Sequence, residues 1–115
     1  MSADITPRLN IWLEHDGKVV LSPWRLRLLE AVDRAGSISG AAELLNVPYK
    51  LAWERLAEME EGSGSPLLER HVGGSHGGGT SLTPEGRALI DRFAHFMAVM
   101  EVALAEEFSS HFPRI

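Results

Sequence analysis

At 115 residues the chain is the size of one domain, and its formal charge of −5 excludes a generally basic polyanion binder. Apolar residues make up 44% and charged residues 23%, which fits a globular chain and not a disordered one. Cysteine is absent, ruling out disulfides and thiolate metal sites, and neither a secretion leader nor a run of about 18 apolar residues is found, so a cytoplasmic protein without a membrane span is expected.

Residues 8–21, RLNIWLEHDGKVVL, alternate apolar and polar side chains around Asp16-Gly17, a pattern that predicts a hairpin. Ser22-Pro23 supplies the cap and first residue of a helix that ends at Gly36, with Trp24, Leu28, Ala31, Val32 and Ala35 on its inner face. Ser37 caps a second helix whose buried stripe is Ile38, Ala41, Ala42 and Leu45. Asn46-Val47-Pro48 makes a tight turn: Asn46 tolerates the left-handed conformation and Pro48 opens a third helix, running to about Glu61. Tyr49, Ala52, Trp53, Leu56 and Met59 or Glu60 share one side of it. Lys50, Leu51, Glu54 and Glu58 share the other, with Arg55 at the border. Trp12, Trp24 and Trp53 all read as core anchors.

Gly62-Ser63-Gly64-Ser65-Pro66 interrupts the chain. A second hairpin follows at about 67–82, with a glycine-rich tip from Val72 to Gly79. Thr83-Pro84 repeats the cap-and-proline signal and starts a helix over about 84–110 with no breaker before Pro113. Along it Ile90, Phe93, Met97, Met100 and Leu104 step by three and four residues, a seam suited to pairing with another helix. At 1.5 Å per residue such a helix is roughly 40 Å long, more than one small domain covers, so a homodimer is expected.

The order is two helices meeting at a tight turn (about 37–61), a hairpin wing and a long terminal helix. It predicts a mainly α (α+β) fold: one winged helix-turn-helix domain over residues 1–115, with an N-terminal hairpin and a C-terminal dimerisation helix. The third helix of such a fold can enter a DNA major groove. There Lys50 can reach a guanine edge or a phosphate, and Glu54 can accept from a cytosine amino group; the alternative is that the two simply pair across one helical turn. Arg55 stands at the edge of the same face. Ser37 and Ser39 lie where hydroxyls and helix-terminal amides suit a phosphate. In the wing, Arg70 supplies charge, while Ser75, His76, Gly77 and Thr80 surround a loop able to lie close to the sugar-phosphate wall. Double-stranded DNA is the expected partner.

Other chemistries find less support. The glycine run lacks the GK[ST] ending of a nucleotide-binding loop. The five histidines show no paired metal-ligand spacing on one helix, and no serine, histidine and acid pattern points to hydrolysis. The expectation is therefore no enzyme, no cofactor and no metal. Two alternatives remain: a protein-interaction module on a winged-helix scaffold, suggested by the acidic charge, and a small oxyanion- or metal-binding protein using the loop around His71 and His76.

The run GSISGAA, followed by LLNV, PYKLAW and LLERHVGGSHGGGTSLTPEGR, resembles the N-terminal domain of the molybdate-responsive repressor family, ModE. More loosely, GSISGAAELLNV, LLER and LTPEGR resemble the LysR-type regulators. The likeness covers residues 22 to about 105. It implies a winged helix-turn-helix, dimerisation through the terminal helix, and repression of molybdenum-homeostasis genes from palindromic operators. By position it also implies DNA contact by Ser37, Ser39, Tyr49, Lys50 and the Gly73–Gly79 wing, which puts Tyr49 outside whereas the helical pattern puts it inside. Family members that sense molybdate carry C-terminal oxyanion-binding domains. The sequence ends at Ile115, so the expectation is a regulator without its own molybdate-sensing domain, with a partner protein carrying an effector domain as one route to control.

Overall fold

The computed structural model describes residues 4–72 and 79–114. Strands β1 (Leu13–His15) and β2 (Lys18–Leu21) form the first hairpin, turning at Asp16 and Gly17 with φ of 51° and 77°. Both lie in the left-handed region that a two-residue turn of this hand requires. Pairing shifts register between Leu13 and Glu14, so the ladder stops short of the span from residue 8 that the sequence predicts. Helices α1 (Pro23–Ala35), α2 (Ile38–Leu45) and α3 (Tyr49–Ser63) follow, then strands β3 (Leu68–His71) and β4 (Gly79–Leu82), then α4 (Pro84–His111).

The boundaries follow from capping chemistry. The Ser22, Ser37 and Thr83 hydroxyls accept from the amides of Arg25, Gly40 and Gly86, at 3.2, 2.9 and 3.0 Å. Gly36, Asn46 and Gly64 end α1, α2 and α3 in the left-handed conformation.

Leu28, Leu29 and Val32 of α1 meet Ile38, Ala41 and Ala42 of α2 and Ala52, Leu56 and Met59 of α3 in one core. Leu21, Leu67, Leu68 and Leu82 from the two hairpins close it. Leu29, which the sequence pattern leaves off the inner face, is fully buried, whereas Ala35 is exposed. Two of the three expected tryptophan anchors are also outside. Only Trp24 packs against the core; Trp12, whose indole N–H donates to Glu14 at 2.6 Å, and Trp53 are exposed.

The first three turns of α4 pack on α1 and β4, and there the expected dimer seam is partly consumed. Phe93 is 2% exposed and belongs to the core of its own subunit, so it is not available to a second copy. Ile90 and Met97 also pack against that core, whereas Met100 and Leu104 lie beyond it. Past Met97 the helix projects from the body, and the molecule measures 62 × 30 × 22 Å.

A few polar joints fix the elements to one another. One oxygen of the Glu60 carboxylate accepts from the amides of Leu67 and Leu68, at 2.8 and 3.1 Å, tying the end of α3 to the root of the wing. Thr83 donates through its hydroxyl to the Pro66 carbonyl at 2.7 Å while capping α4. Arg25 donates to the Val19 carbonyl at 3.1 Å and pairs with Glu58 at 2.9 Å, joining β2 to α3. Arg87 grips Asp33 with both terminal nitrogens, at 2.8 and 3.2 Å, joining α4 to α1.

Candidate nucleic-acid interface

The start of α3 is free of the core because Pro48 opens it at the domain edge. Ala52, Leu56 and Met59 face inward, which leaves Lys50 and Glu54 on the outer side, Tyr49 and Trp53 on one flank, and Arg55 and Glu58 on the other. Lys50 is 86% exposed in its side chain and sits 3.8 Å from Glu54, one turn on. Arg55 bonds Glu58 at 3.0 Å on the flank where Glu58 also holds Arg25, so its charge is already shared toward the N-terminal hairpin.

The opposite flank forms the site. Tyr49 and Trp53 line a shallow depression of about 330 Å³ with Ser37 and Ser39 from the start of α2 and Arg70 from the wing. Pairing sets Leu68 opposite Leu82 and Arg70 opposite Thr80. Opposed and alternate residues share one sheet face, so Arg70 emerges on the side of the wing that covers the helices. His71, on the other face, lies 2.8 Å from the Ser81 hydroxyl through Nε2.

Several sequence-based assignments change here. Tyr49 is 54% exposed, which corrects the burial expected from the helical pattern. The wing packs on α1 and α4 and leaves this flank open. Thr80 is 8% exposed, and its amide donates to the Gly36 carbonyl at 2.8 Å. It anchors the wing to the α1–α2 turn, and its side chain is not on offer to a ligand. At neighbouring Gly79 an added Cβ would stand 3.0 Å from that same carbonyl, so the joint is tight. Ser37 spends its hydroxyl on capping, whereas Ser39 is exposed 3.5 Å away. Ser75, His76 and Gly77 lie outside the described residues, as does most of the glycine loop on which an oxyanion or metal reading rests. Sequence reasoning missed Trp53 and Val72 at this surface. The four-residue spacing of Tyr49 and Trp53, which puts them on one flank, was the available signal.

Among the described residues no group of three or more histidines, aspartates or glutamates is placed to hold a metal ion, and no helix is long and apolar enough to cross a membrane. Two helices joined at Asn46–Pro48, with a hairpin packed on α1 beside them, form the outline of a regulatory helix-turn-helix. The model of the bacterial regulatory helix-turn-helix proteins of the lysR family matches residues 24–87, which span α1 to the start of α4. The chain belongs to this family.

The lysR-family chain is 44% identical over 78 residues to the molybdenum transport protein ModE of Azotobacter vinelandii, a match covering 68% of the chain and 29% of that protein. It is 44% identical over 73 residues to the transcriptional regulator ModE of Haemophilus influenzae, covering 64% of the chain and again 29% of the relative. The chain thus spans under a third of the length of these relatives. Among solved structures it is similar to ArgP from Mycobacterium tuberculosis, with a TM-score of 0.51 and 28% identity over 72% of the chain and 29% of that protein. The family is one of DNA-binding transcription regulators and not of enzymes.

Proposed function

We propose that this chain, a single winged helix-turn-helix domain, regulates transcription by binding a palindromic operator in the cytoplasm as a homodimer. The carrying observation is the convergence of Ser39, Tyr49, Trp53 and Arg70 on one face between α2, α3 and the wing, with Lys50 projecting beside them. Lys50 and Arg70 supply charge, and the Ser39 hydroxyl and the outer side of α3 offer groups for phosphates and base edges. The Ser75–Gly77 part of the wing joins that contact in this proposal. Glu54 and Arg55 act at its edge, Glu54 by holding Lys50 and Arg55 by holding Glu58.

Homodimerisation through α4 is supported by the half-buried Met100 and Leu104, continuous with Ile90 and Met97, and by the exposed Phe96, Val99 and Val102 on the same helix. A twofold dimer reads two half-sites about one helical turn apart, or a multiple of that. The names of the relatives make molybdate the effector to test, and a partner protein carrying an effector domain is the accompanying proposal.

Fluorescence anisotropy against promoter fragments from the chain's own locus, at two salt concentrations and with and without molybdate, tests this function. Sequence-selective binding that weakens steeply with salt is the expected result. If control runs through a partner protein, molybdate alone leaves the affinity of residues 1–115 unchanged. Absence of binding to any fragment at low salt overturns the proposal.

A further inference from the structure

Trp53 has no structural task that matches its cost in exposure. Its indole is 43% exposed, and Tyr49, one turn earlier on the same flank, is 54% exposed. Val72, just past the end of β3, adds a third large apolar side chain to the same depression. A contiguous apolar patch of this kind marks a contact surface and not a solvated one. Its surroundings narrow the occupant to nucleic acid: Arg70 lines the depression, the Ser39 hydroxyl stands at its rim, and Lys50 projects from the next position on the helix. Charge is sparse, however, because Lys50 is shared with Glu54. A surface that only gripped phosphates would show more lysine and arginine here. Among the base edges of a major groove, the apolar feature is the C5-methyl group of thymine.

We propose that Trp53, flanked by Tyr49, is a specificity-determining residue that reads thymine by packing its ring against the 5-methyl group. This rests on the DNA-binding function proposed above and assigns a base to one part of the surface. The packing needs the aromatic ring and not the indole N–H, so a phenylalanine preserves it.

The test uses a duplex enriched from a random pool by the wild-type chain, with thymines replaced one at a time by deoxyuridine, which removes only the methyl group. The wild-type chain is expected to lose about fourfold in affinity at one or two thymines per half-site, the worth of one buried methyl. Trp53→Ala is expected to bind thymine and uracil duplexes equally at those positions, and Trp53→Phe to restore the difference. Equal wild-type affinity for thymine and uracil at every position overturns the inference and leaves DNA binding intact. A Trp53→Ala protein that still discriminates overturns it as well. Enrichment of no duplex overturns both the inference and the function it rests on. Because the wild-type comparison involves no substitution, a folding defect in Trp53→Ala leaves the test standing.

Discussion

Lys50 and Glu54 show how one ion pair can tune an interface. At 3.8 Å and largely in water, the pair adds little to stability, so its weight falls on binding. Lys50→Ala is expected to weaken specific DNA binding by about 1–3 kcal/mol, read by anisotropy against the selected duplex. Glu54→Gln releases the ammonium group. Its expected outcome is tighter binding and a salt dependence steeper by roughly one unit of slope, and an unchanged slope would show that Lys50 does not meet a phosphate. The neighbouring serine hydroxyls divide in the same way: Ser37 holds its helix together and Ser39 is exposed beside it.

At the scale of elements, the joint between α3, the wing and α4 decides whether the interface exists at all. Gly86 has no room for a side chain, because a Cβ there would collide with the Leu67 carbonyl. Gly86→Ala is expected to destabilise the domain by about 1–3 kcal/mol in urea unfolding, as backbone cannot yield the way a flexible side chain does. Glu60→Gln weakens the acceptor shared by the Leu67 and Leu68 amides, with an expected loss of about 1–3 kcal/mol in the same measurement. Elements of this kind were legible in the sequence where the signal is local. Ser22, Ser37, Asn46 and Thr83 announce helix ends by their own chemistry, and all four stand where that chemistry puts them. The flanks of α3 were not legible. Tyr49, Ala52, Trp53 and Leu56 share one apolar side by periodicity, and only the packing of β2, α1 and α2 on the helix determines which of them is covered. Thr80 and Phe93 were misassigned for the same reason, since residues of suitable type for a ligand or partner were taken up by neighbours distant in sequence.

At the scale of the whole molecule, the outer half of α4 reaches beyond the core. A helix of 28 residues that packs on its own body only over its first turns leaves Met100 and Leu104 beyond the core. The double substitution Met100→Asp and Leu104→Asp is expected to leave the domain folded and to yield a monomer in sedimentation velocity. Operator affinity should fall with it, and the salt slope should drop to roughly half, as one subunit meets half the phosphates. A dimer that survives both aspartates would place the subunit contact elsewhere.

The hydrogen bond from the Thr80 amide to the Gly36 carbonyl has a thermodynamic consequence. It joins the loop end of β4 to the turn that orients α2, while Glu60 holds the root of the other strand to α3, so these contact elements share one frame before any ligand arrives. Association then requires little backbone ordering within that frame, where the conformational entropy lost falls on side chains. From these elements calorimetry would register a heat-capacity change proportional to the apolar area they cover.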